Sequence, residues 1–328
     1  LQSGPGRLAA DLADDAGLAR AAALKKRIGP RILPNTRINL SKMGPTDGQM
    51  DFTIDRLLSR RETVFRSLKG RLSLDHKVVR ITNLVVGLKS GKMTGSVQVD
   101  HRSGAPKLMT DLTLTGASLS DLIGNGDIIT ANIRGRVRLS GSGDTVREAL
   151  EKADGKAAMV ASGGSVRATV AHVLGQNLSG AVGKIIDDPL ARAPLRCLVA
   201  NFQASNGILT PAPLAVDTEI SIGRGEGRIV LDGEKISLVL RGGAKGESAL
   251  RIVDPIKISG TLTAPEVSVA GLGKAEAAEK PSLGDVLKVA TKSIGSALGI
   301  GTSEKQDQAF IQKPKSLNCD AVVAAAMR

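Results

Sequence analysis

Residues 91–100 read GKMTGSVQVD, and residues 223–232 repeat the pattern as GRGEGRIVLD. Both copies carry glycine at the first and fifth positions: Gly91 and Gly95 in one, Gly223 and Gly227 in the other. Val97 and Val99 correspond to Ile229 and Leu231, and each copy closes on an aspartate, Asp100 or Asp232. Apolar residues two apart, separated by Gln98, have the period of a strand with one covered face and one wet face. In the second copy Val230 replaces Gln98, which predicts that its other face is covered as well. The glycines mark turn exits or a close approach of another backbone. The closing aspartate suits a turn into the next strand. The repeat is a sheet-building unit with nothing reactive in it.

The same texture extends in both directions. Upstream, Ile38 and Leu40, Phe52 and Ile54, and Leu72 and Leu74 alternate with polar residues, and an Asp75-His76-Lys77 turn leads to Val79 and Ile81. Downstream come Leu108, Leu112 and Leu114, then Ile133, Val137 and Leu139 set against Arg134, Arg136 and Arg138. The arginines share one face, either as an anion-contacting stripe or, more commonly for such a pattern, as the wet side of a strand. Strands resume at residues 195–202 and 208–209, and after the second copy at Ile236, Leu238 and Leu240. Pro255 interrupts the last strand region and predicts an edge or a bulge. Short turns permit only antiparallel neighbours. The expected fold is therefore mainly β with a few short helices, built on one long antiparallel sheet.

Helical signals are sparse. Ser118 reads as the cap of a turn over 118–123, Asp144 as the cap of a helix over 144–150, and residues 166–186 carry a helical apolar spacing. Residues 8–27 form an Ala-rich candidate helix, and residues 283–298 an amphipathic one capped by Ser282. A terminal helix is expected within 316–328. This divides the chain into a helical lead-in (1–35), a repetitive β region with inserted helices (36–269), and a linker, amphipathic helix and tail (270–328).

Composition narrows the function. Of the 328 residues 41% are hydrophobic but only 1% aromatic, with four Phe and neither Trp nor Tyr, so buried surfaces are aliphatic. The net charge of +13, from 45 Lys and Arg against 32 Asp and Glu, points to an anionic neighbour or a broadly solvated surface. Nucleic acid is disfavoured because stacking aromatics are missing. His76, His101 and His172 lie far apart with no metal-binding or catalytic spacing. Residues 87–92 imitate a phosphate loop, but the glycines are too close and Met93 stands where Ser or Thr is required. No catalytic set, cofactor or metal site is legible, and a non-enzymatic protein is expected. No apolar run approaches the roughly 20 residues of a spanning helix. The start at Leu1 rather than Met suggests a longer parent protein. The only cysteines, Cys197 and Cys319, are compatible with a disulfide in an oxidising compartment or with two buried thiols in a reducing one.

Several tracts taken together resemble a known family. They are Leu68-x-Gly70-x-Leu72-x-Leu74, the 91–100 unit, residues 106–122 ending in Gly116-Ala-Ser-Leu-Ser-Asp-Leu, and Pro194-Leu-Arg-Cys-Leu-Val-Ala-Asn-Phe202. In order and spacing they are similar to the C-terminal region of AsmA-family proteins, from about Thr36 onward. The resemblance implies an inner-membrane anchor upstream of residue 1 and a periplasmic body. It also implies a long curled, groove-like sheet whose aliphatic face carries phospholipid between the two membranes of the cell envelope. On that reading Leu72, Leu74, Val97, Val99, Leu112, Leu114, Val137, Leu139, Ile229, Leu231, Ile236, Leu238 and Leu240 line a channel for acyl chains. The oxidising compartment it implies would pair Cys197 with Cys319. The alternative is an assembly factor for outer-membrane biogenesis, with envelope protein partners, a closed aliphatic core and no lipid cargo.

Overall fold

The alternating runs assemble into a single 15-stranded antiparallel sheet that does not close on itself. The computed structural model describes residues 31–41, 47–57, 64–123, 128–175, 188, 190–246, 255–269 and 316–328. The expected helices at 8–27 and 283–298 lie outside these residues.

The chain meanders from β1 (Gly48–Ile54) through β2 (Phe65–Asp75), β3 (Val78–Leu88), β4 (Lys92–Asp100) and β5 (Lys107–Ser118). The β2–β3 turn is tight because His76 and Lys77 both take positive φ, 45° and 61°, which matches the twist of the strands they join. After β5 come helix α1 (Leu119–Ile123) and the short β6 (Ile129–Thr130), and the main sheet resumes with β7 (Asn132–Ser142). Helix α2 (Val146–Leu150) joins β7 to β8 (Asp154–Ser162). A second excursion holds β9 (Ser165–Arg167), which pairs with β6, and helix α3 (Ala168–Leu174). The meander then runs through β10 (Arg192–Ser205), β11 (Ile208–Thr218), β12 (Ser221–Val230), β13 (Lys235–Ala244), β14 (Ile256–Thr261) and β15 (Ala264–Val269). Helix α4 (Cys319–Ala326) closes the described chain.

The two repeats are β4 and β12 with their exits. In both, the fifth glycine has positive φ, 148° at Gly95 and 120° at Gly227. In both, a Cβ would collide with a carbonyl oxygen of the next strand, that of Asp111 or Ser237. The close approach read from the sequence is therefore the reason for this glycine. Asp100 accepts a hydrogen bond from the Arg102 amide at 3.1 Å, which shapes the exit turn. Val230 does not mark a covered second face: it pairs with Ile208, which is 38% exposed.

One cap differs from expectation. Thr145, not Asp144, caps α2 by accepting from the Glu148 amide at 3.2 Å, and Glu148 Oε2 accepts from the Asp144 amide at 2.9 Å. The Thr-x-x-Glu spacing is that of a capping box, with Glu148 reaching one residue further back, to the amide before the cap. It frees the Asp144 side chain to accept from Asn39 Nδ2 at 2.6 Å. Ser118 Oγ meets the hydroxyl of Ser120, 2.6 Å away.

Candidate functional site

Directly opposed residues of antiparallel strands share a face, so the register sorts every side chain. Leu72 opposes Ile81, Ile81 opposes Val97, Val97 opposes Thr110, and Thr110 opposes Leu139. A second row runs Leu112, Val137, Ala157, Phe202. A third runs Leu114, Gly135, Met159, Ala200, Leu214. Ile229 opposes both Leu209 and Ile236. Leu74 and Val99 both oppose Val79, and Leu238 and Leu240 follow Ile236 at two-residue steps. The channel positions expected from the sequence therefore stand on one face.

Two walls flank this face. Along one margin, the segment 31–41 and α2 lie across the strand ends. Ile38 and Ala149 bury Val99 and Leu108, while Leu33 and Leu150 pack on Ala204, Leu209 and Leu231. The segment begins inside the expected lead-in, whose Leu33 thus packs on the sheet. Along the other margin, Leu119 of α1 packs with Ala117, Ala131, Ile133, Ala161 and Leu195. Farther along, Leu174 of α3 fills the space above Gly223, and its carbonyl sits over Gly242. Between the walls Leu112, Leu114, Val137, Ala157, Met159, Ala200, Phe202 and Leu214 are half-buried. They form the floor of an aliphatic trough running across the strands. Thr110 to Leu114 spans about 14 Å at ordinary strand rise. Val99, Leu231 and Leu238 are buried and so lie outside the open floor. At the β1 edge the apolar face ends with Met50 and Ile54, 55% and 40% exposed.

The sequence reading missed much of this face. Leu84 and Val86 share the face with Ile81, but a bulge at Asn83, with φ 51°, shifts the alternation by one residue. Met159, Ala200 and Leu214 carry no local mark, since their place is fixed only by pairing.

The wall segment is held by buried polar contacts. Glu234, 1% exposed, accepts from the amides of Ile32 and Leu33 through its two carboxylate oxygens, at 2.8 and 2.9 Å. Arg147 donates to the Leu33 carbonyl at 2.7 Å, and His101 Nδ1 accepts from the Leu40 amide at 3.0 Å. Nearby, burial and then the negative charge of Asp232 push the Glu151 carboxyl above its ordinary range. At the same margin, hydrogen bonds from Arg102 lower Asp100 to about 2.

The opposite face is polar. Gln98 accepts from Arg80 at 2.9 Å, and Arg136 pairs with Asp111 at 3.2 Å. Arg134, Arg136 and Arg138 all project there, away from the trough. An apolar patch on it, Ala158, Val160 and Val199, is covered by Val323 and Ala326 of α4. A disulfide joins Cys197 of β10 to Cys319 of α4, with Cα atoms 5.8 Å apart. Asp217 is fully buried beneath the tail, where it accepts from the Leu317 amide at 2.7 Å and is met by Arg196 and Lys245.

Chemically, this arrangement offers apolar surface and a charged back. Among the described residues, Asp47, Asp75 and His76 could together hold a metal ion. All are exposed at the β2–β3 turn, where they also bond to one another. None of the described helices is long and apolar enough to cross a membrane.

The AsmA family profile matches residues 20–214. AsmA family protein YhjG of Escherichia coli K12 is 22% identical over 243 residues, which is 73% of this chain. The chain spans 35% of that relative's length. No solved structure gives a significant match.

Proposed function

The chain belongs to the AsmA family, and from that premise we propose that it binds phospholipid acyl chains in the trough and conducts them between the inner and outer membranes. The protein is non-enzymatic on this reading, and works in the periplasm as part of an inner-membrane-anchored whole. The observation that carries it is the half-buried aliphatic floor between two packed walls. Side chains such as Leu112, Val137 and Phe202 keep apolar surface that a closed core would remove from water. Each methylene transferred onto such a surface gains about 0.8 kcal/mol, so a chain of ordinary length binds without any headgroup pocket. The open ends of the sheet suit onward movement, and the disulfide suits an oxidising compartment.

Phospholipid extracted from detergent-free protein and measured by mass spectrometry tests this directly. The wild-type chain should carry lipid of several headgroup classes, and Leu112→Asp with Val137→Asp should carry much less. Folded wild-type protein that carries no lipid would favour the assembly-factor reading, in which the walls close over a core.

A further inference from the structure

Many cations of the described strands stand on one side of the sheet. By alternation and register Lys69, Arg134, Arg138, Lys156, Arg228 and Lys257 project from the face opposite the trough. Most carboxylates of that face are already engaged: Asp51 by Arg71, Asp111 by Arg136, Asp217 by Arg196 and Lys245, and Glu226 by Arg241. Asp154, the first residue of β8, and Glu266, on the last strand, stand at its margins, and Asp320 is exposed at the start of α4. Like charges also stand directly opposite one another, Arg138 across from Lys156 and Arg224 across from Arg241. One member of each pair is already held, Arg138 by the Arg328 carbonyl oxygen and Arg241 by Glu226, which eases the repulsion such pairs bring to a sheet.

One register row shows the pattern. It starts at Arg134, passes through Val160, Val199 and Ala215, and ends at Arg224 and Arg241. Helix α4 covers the valines, so arginines stand on both sides of it. The outward side of α4 is short, with Ala321, Ala324 and Ala325 exposed, and leaves those arginines accessible.

We propose that this face docks on the surface of an anionic phospholipid bilayer, with α4 between two banks of arginine. The site does not converge on a single phosphate: from β2 to β14 the cations span on the order of 50 Å at ordinary strand spacing. A wide, shallow array of cations suits a plane of laterally mobile headgroups. Nucleic acid fits less well, because Phe52 and Phe202 both lie on the trough face and, among the described residues, no aromatic platform accompanies the cations. The proposal stands whether or not the trough holds acyl chains.

Co-sedimentation of the purified 328-residue chain with vesicles tests it. One set contains phosphatidylcholine alone, and the other phosphatidylcholine with phosphatidylglycerol. Binding is expected only to the anionic vesicles, and it should weaken as salt rises. Arg134→Glu, Lys156→Glu and Arg224→Glu together should lower affinity about ten-fold or more. A control triple of equal charge change at turns and strand ends, Arg56→Glu, Lys77→Glu and Lys152→Glu, should lower it less than about three-fold. If the first triple does not fold, the same three positions changed to Gln are read in its place. Equal losses from both triples would reduce the effect to net charge and overturn the proposal. So would equal binding to neutral vesicles, or a DNA duplex that displaces the protein from anionic vesicles at matched phosphate.

Discussion

Val97 and Gln98 are neighbours in sequence but lie on opposite faces, which makes them the sharpest probe at the residue scale. Val97 packs beside the buried cluster of Val99 and Leu108, whereas Gln98 accepts from Arg80 on the wet side. Val97→Asp is expected to cost about 2–3 kcal/mol in chemical denaturation and to reduce bound lipid. Gln98→Asp keeps an acceptor for Arg80 and should stay within about 0.5 kcal/mol of wild type. Equal losses would remove the face assignment. Glu151 gives a pH test. Its carboxyl is held above the ordinary value of 4.5, by burial first and then by Asp232, so the folded state binds its proton more tightly than the unfolded state does. Stability is then lost as pH rises from that value through the raised one. Glu151→Gln should therefore raise the melting temperature at neutral pH, and the gain should vanish below about pH 4. Alternation was legible at this scale because it follows from local backbone geometry. Glu151 was not, because its burial depends on what packs beside it.

At the scale of elements, the segment 31–41 turns a flat apolar face into a walled one. Its attachment depends on Glu234, which the sequence offers only as a residue beside a turn. Glu234→Gln leaves one acceptor for two buried amides, so a loss of about 1–3 kcal/mol is expected. Hydrogen exchange should quicken at Ile32 and Leu33 before it does in the sheet, and unchanged protection there would refute the clamp. The α2 cap teaches a related lesson. Asp144 and Thr145 are both competent caps, and the Thr-x-x-Glu spacing favours Thr145. The contact between Asp144 and Asn39 then ties the helix to the wall segment. Strand β3 shows why part of the apolar face escaped notice: a single bulge at Asn83 breaks a two-residue rhythm that is otherwise reliable.

At the scale of the whole molecule, the disulfide ties residues 122 apart and holds α4 over an apolar patch of the otherwise polar face. Cys319→Ser is expected to cost about 2–4 kcal/mol. It should also raise hydrogen exchange in α4 above that of β8 and β10, and equal protection in both would show that packing alone holds the helix. The sequence by itself determined the division of this sheet into an aliphatic and a charged face. A strand's side-chain period is set by the local backbone, and short turns force antiparallel neighbours. It also determined the glycines at which strands cross closely, because only a residue without a Cβ fits there. The tertiary structure alone decided which part of the aliphatic face stays open and which cysteine contacts form. Those outcomes depend on register carried across many strands and on contacts such as Glu234 with Ile32, 202 residues apart. No local pattern encodes a partner at that distance.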